Sequence, residues 1–233
     1  MAPSHRFVFT AHNIAFKHHT HTFLSLPDFS KEVTVIINEE QPDLAASFHV
    51  PESFLIEHSE FFQAACRGEW REATSRVIKL PDVEPEIFNL YLFWVHRGKL
   101  AIRNEWELDD EDCLEHGIPD QTRLIKLWIL ADRLADVKLR NATIDEMIAA
   151  TGWPNVGFDF PLFTPEMTNI VWSATTAGRS LRRLLLDHYI GDVWAEEMEH
   201  NMDEFHPDFF KELMLAALIT MTRFRKEIVS NMH

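Results

Sequence analysis

Residues 47–66 read SFHVPESFLIEHSEFFQAAC, with large apolar side chains at Phe48, Val50, Phe54, Leu55, Ile56, Phe61 and Phe62. The stretch contains no glycine and no lysine. That much aromatic surface leaves water only by packing against other elements, and its spacing says how. Phe48 and Val50 alternate as on one face of a strand. Pro51 then suits the first position of a helix, with Glu52 favoured in that first turn by the helix dipole. Ser59 offers an N-cap with Glu60 behind it, so 51–66 reads as two short helices broken at Ser59. His58 adjoins Ser59, but consecutive helical residues do not face each other, and no G-x-S-x-G elbow surrounds the serine. Ser59 is therefore read as a cap, not a nucleophile.

The flanking sequence supplies elements for this stretch to pack on. Val33–Ile37 (VTVII) is β-branched and reads as a strand, 38–43 as a turn, and Ala46–Val50 as the returning strand of a hairpin. Val77–Leu80 is a third short strand ahead of Pro81. Pro85 and Glu86 open a helix carrying Ile87, Phe88, Tyr91, Trp94 and Val95 at helical spacing, which Gly98 stops. Leu90, Leu92 and Phe93 extend its apolar face nearly round the helix, which predicts central burial. An acidic connection over 103–120 precedes two helices near 121–135 and 138–149. Glycine, proline and phenylalanine make 151–163 irregular. Thr164-Pro165-Glu166 starts another helix, and Ser180 caps one bearing Leu181, Leu184, Leu185 and Tyr189. A last helix, about 207–226, shows Phe210, Leu213, Met214, Ala217, Met221 and Phe224 at helical spacing.

Composition narrows the function classes. With 37 acidic against 22 basic residues and a net charge of -15, the chain should repel nucleic acid and anionic membranes. The run Arg179–Arg183 is too short a basic stretch to reverse that. No stretch is apolar for long enough to span a bilayer, and the first residues resemble neither a signal peptide nor an anchor. Two cysteines, Cys66 and Cys113, make no disulfide framework and fit a reducing compartment, cytoplasmic or nuclear.

The order strand, turn, strand, helix pair, short strand, apolar helix, helix pair has a counterpart. Phe48, Val50, Leu55, Ser59, Phe61, Phe62, Leu80-Pro81-Asp82-Val83, Phe88, Leu92 and Gly98 stand where a BTB/POZ domain carries its motif residues. LIKLWILADRLADVKLRNATIDEMI resembles the closing helix pair of such domains. With helices following, the chain looks most like the short BTB proteins of filamentous fungi. The resemblance implies an α+β fold: a small sheet with helical hairpins over 26–150, behind an N-terminal arm at 1–25 and ahead of an all-helical extension at 151–233. It also implies a protein-interaction module with no active site and no cofactor.

Some BTB domains form homodimers or recruit corepressors, and others dock a cullin scaffold as adaptors of a ubiquitin ligase. Corepressor-type domains pair an acid on the first strand with a base after the F-x-V. Here those positions hold Glu32 and Pro51-Glu52, and two carboxylates repel. Cullin-binding domains often carry a hydrophobic-x-Glu triplet between the second short helix and the third strand. Trp70-Arg71-Glu72 matches it, an aromatic anchor beside a rim charge.

Two readings of other classes remain. His200, Asp203 and His206, spaced H-x2-D-x2-H, offer ligands for a metal-dependent enzyme, as do the histidines of Lys17–His21. Zinc needs three or four convergent ligands, and no cysteine pair or H-E-x-x-H accompanies either set. A homodimeric, transcription-related scaffold is the other, disfavoured by the lack of a zinc finger or basic helix. The acidic run 105–112 lacks the glycine and final glutamate of a calcium loop and is read as solvated. Phe158, Phe160 and Phe163 are read as staples of an irregular segment rather than a peptide groove, and Cys66 as a packed small hydrophobe.

Overall fold

The computed structural model describes residues 30–41, 43, 45–67, 74–101, 121–150, 163–191, 198–199 and 201–231. Three strands, β1 (Glu32–Ile37), β2 (Ala46–Pro51) and β3 (Val77–Leu80), form one mixed sheet in the order β2-β1-β3. β1 runs antiparallel to β2, with Val33 opposite Val50 and Val35 opposite Phe48. It runs parallel to β3, with Val35 opposite Ile78 and Ile37 opposite Leu80. Val33, Val35 and Ile37 alternate inward and are buried, as a strand with one face on a core requires.

Between β2 and β3 lie α1 (Glu52–His58) and α2 (Glu60–Arg67), broken at Ser59 as the sequence predicts. Pro51 ends β2 opposite Glu32 instead of opening the helix. The ladder extends one bond further, from the Glu52 amide to the Lys31 carbonyl at 2.8 Å, and this holds Pro51 in the sheet. α3 (Pro85–Arg97) follows β3 and ends at Gly98, whose φ of 64° glycine adopts without steric cost and whose amide closes on the Trp94 carbonyl at 2.7 Å. Ile87, Phe88, Tyr91 and Val95 of α3 are buried, whereas Leu90 and Leu92 are only partly covered and Phe93 is exposed. The expectation of burial all round α3 therefore fails on one side: the sheet and its hairpins reach a single face of the helix.

α4 (Gln121–Arg133) and α5 (Val137–Ala150) form the next hairpin. Beyond it come α6 (Pro165–Ala174), α7 (Ser180–Gly191), a 3-10 turn at Met202–Glu204 and α8 (Phe209–Asn231). Thr164 caps α6, accepting from the Met167 amide at 3.3 Å, while Ser180 is the first residue inside α7 and not a flanking cap.

Two apolar clusters result, and α4 belongs to both. Leu127, Leu130, Ala131 and Leu134 join the sheet, Leu55, Phe62, Phe88 and Tyr91 in the first. Leu124, Ile125 and Trp128 join Met147, Phe163, Val171, Trp172, Leu185, Tyr189 and Phe209 in the second. At about 25 cal/mol per Å2 of apolar surface removed from water, each fully buried large side chain contributes roughly 1.5–3 kcal/mol, so both clusters are substantial.

Candidate interaction surface

Ser59 is wholly buried, and its hydroxyl does two things. It accepts from the Phe62 amide at 3.1 Å, capping α2, and donates to the Leu134 carbonyl at 2.5 Å. The Phe61 amide meets the same carbonyl at 3.4 Å. Leu134 follows the last turn of α4, where carbonyls lack helical partners, so the break between α1 and α2 satisfies the end of a helix 75 residues further on. The joint is reciprocal in kind. Asp136, buried beside it, caps α5 by accepting from the Leu139 amide at 2.9 Å and accepts from the Trp94 indole at 3.2 Å. His58 Nδ1 lies 4.0 Å from the Asp136 carboxylate, and its ring meets Trp94 edge-on. Burial first, then the Asp136 charge, push the Tyr91 phenol well above its ordinary value, with the Ser59 hydroxyl opposing weakly. This polar group ties helices together, with every partner a structural one.

The other candidates divide between described and undescribed parts of the chain. Trp70, Arg71 and Glu72 lie outside the described residues, as do Lys17–His21, the acidic run 105–112, Cys113, Phe158, Phe160 and His200. The flanks of the triplet are described: α2 ends at Arg67, and Arg76 precedes β3. Arg76 forms an ion pair with Glu52, so one of the two carboxylates expected to repel each other has a cation of its own. The sequence could not have shown that pairing, because it joins residues 24 apart across the α1–α2 hairpin.

Asp203 is exposed in the 3-10 turn, and His206 Nδ1 accepts from the Asp208 amide at 3.2 Å. Among the described residues no group of three or more His, Cys, Asp or Glu converges as metal ligands would. Phe163 is buried, packs edge-on against His188, and its carbonyl accepts from the Tyr189 hydroxyl at 2.5 Å. It is a staple, as the sequence reading favours. Cys66 packs half-buried against the first cluster, and that burial raises its thiol pKa, which suppresses the reactive thiolate.

One feature the motif reading passes over is α8. Its first turns seat Phe209 in the second cluster and half-bury Phe210 and Leu213 against it. From 221 to 231 every residue is exposed, Met221, Phe224 and Ile228 among them. The signal was present in the sequence as apolar residues at Met214, Ala217, Met221, Phe224 and Ile228, spaced 3, 4, 3 and 4.

A small mixed sheet clasped by helical hairpins, with the buried Ser59 and Asp136 committed to joints between them, defines an α+β domain. Residues 23–117 match the family model of the BTB/POZ domain, and the chain contains a domain of that family. Domains of this family are in general protein–protein interaction modules, and that is the function its presence supports here. No curated protein matches the chain. No helix among the described residues is long and apolar enough to cross a membrane.

Proposed function

We propose that the chain is a substrate adaptor, its BTB/POZ domain over 26–150 docking a cullin scaffold through Trp70, Arg71 and Glu72 and its helices beyond 151 receiving the protein to be modified. The observation that carries this reading is the family match over residues 23–117, a range that includes the triplet; that cullin-binding domains carry a hydrophobic-x-Glu there is what the resemblance implies. Chemistry supports it: tryptophan is a favoured anchor at interface centres, and a neighbouring carboxylate suits the polar rim.

The test is direct binding of the purified full chain to a recombinant cullin N-terminal region by calorimetry. Trp70→Ala with Glu72→Ala should weaken binding at least tenfold while leaving the circular dichroism spectrum intact. Equal binding by the double variant removes the triplet from the mechanism, and no binding by the unaltered chain removes the cullin.

A further inference from the structure

Exposed side chains on α8 form a seam. Met214, Met221 and Ile228 repeat every seven residues, with Ala217 and Phe224 three after the first two, the spacing by which two helices interlock side by side. Met214, Met221, Phe224 and Ile228 are each at least 60% exposed, and Leu218, on the flank of the same seam, is more than half exposed. Solitary exposed leucines need no explanation, but a contiguous strip along a helix does. Nothing on the described body covers it: α8 packs on α7 and the second cluster through its first turns only.

We propose that this strip is a self-association surface, and that its occupant is α8 of a second copy, paired in parallel. Area argues for a copy of comparable size. Met214, Leu218, Met221, Phe224 and Ile228 leave on the order of 600 Å2 per helix in water, so a symmetric pair would cover at most about 1,200 Å2, the lower bound of standard specific interfaces. Charge argues for the orientation. In parallel pairing Thr220 falls opposite Arg225 of the second copy, with no like charges facing, while Leu213 stays packed on the second cluster of its own chain. Antiparallel pairing centred on Leu218 would set Lys211 against Arg225, two cations in contact. Arg223 and Lys226 point away from the seam in either case, on an outer face that also carries the exposed Leu215, Ile219 and Val229.

A parallel pair would also explain how so exposed a helix persists. A helical stretch without a packed face has only intrinsic propensity to hold it, which is marginal in water at this length. Pairing supplies the missing packing. The inference does not rest on the cullin reading, since Trp70 and Glu72 lie elsewhere in the sequence and their substitution should leave self-association unchanged.

Sedimentation equilibrium of the full chain across concentration should show monomer and dimer, with association weakened at least tenfold by Met221→Glu together with Phe224→Glu. Because both positions are exposed, the far-ultraviolet spectrum at high dilution should not change. As a second readout, Met221→Cys should give a disulfide-linked dimer on mild oxidation, whereas Lys226→Cys, off the seam, should not. A chain that stays monomeric at every concentration overturns the proposal. So does a dimer that survives the double glutamate variant, which would place self-association on another face. Cross-linking through Lys226→Cys but not Met221→Cys overturns the parallel seam, and retention of a different protein on α8 by a chain that does not self-associate overturns the choice of occupant.

Discussion

Replacing Ser59 tests whether its hydroxyl is a joint between two hairpins or only a cap. In Ser59→Ala the Phe62 amide loses its acceptor at 3.1 Å, and the Leu134 carbonyl keeps only the longer bond from Phe61 at 3.4 Å. Losing a helix cap costs about 1 kcal/mol, and depriving a buried carbonyl of its better donor costs about 1–2 kcal/mol more. The sum is about 2–3 kcal/mol, which for a chain of this size lowers Tm by roughly 5–10 °C. Urea unfolding followed by tryptophan fluorescence should show a lower midpoint with an unchanged slope. The discriminating variant is Ser59→Gly. Glycine at an N-cap costs only a few tenths of a kcal/mol, so if Ser59 merely capped α2 this variant would be close to the parent. If the bond to Leu134 matters, Ser59→Gly should lose more than about 1.5 kcal/mol. A glycine variant within about 0.5 kcal/mol of the parent would refute the joint.

Two further outcomes follow from the two clusters. Tyr91 has a folded-state pKa above its ordinary value of 10.0, so its phenol stays protonated while that of the unfolded chain ionises. Its contribution is constant below pH 10 and falls as pH rises beyond, by up to about 1.4 kcal/mol per pH unit. Spectrophotometric titration should find Tyr91 resisting ionisation until the protein unfolds; normal titration in the folded state would contradict its burial beside Asp136. Arg182, nearly buried, donates to the carbonyls of Trp172 and Thr175, pairs with Glu212 and lies over the Trp172 ring at 4.9 Å. Arg182→Ala strands the Glu212 carboxylate and should cost about 3–5 kcal/mol, measured by urea unfolding, and Arg182→Lys should restore little because it lacks the planar fork.

The local parts of this fold were readable and the non-local ones were not. β-branching marked β1, alternation marked β2, Ser59 marked the break between α1 and α2, and Gly98 marked the end of α3; each signal sits within a few residues of its effect. The partner of Ser59 is Leu134, and no pattern around either residue announces the other. Periodicity showed that α3 and α8 have apolar faces but could not say what covers them, so Phe93 was expected inside and is exposed. The acid pairing at Glu32 and Glu52 was legible as charge, but Arg76 reaches Glu52 only because β3 returns beside β1. Of the candidate sites, Trp70-Arg71-Glu72 came from the family resemblance, and it lies outside the described residues.

The double membership of α4 has a consequence for what counts as a unit here. The family match stops at residue 117, yet Leu127, Leu130, Ala131, Leu134 and Leu139 fill the core under the sheet. A fragment ending where the resemblance ends would therefore expose the undersides of Phe62, Phe88 and Tyr91 to water. The stretch that matches the family is thus shorter than the stretch that must fold together. Because the opposite side of α4 holds Trp128 against Phe163 and Trp172, displacement of that one helix is shared by both halves. A load applied to the late helices would reach the sheet through α4.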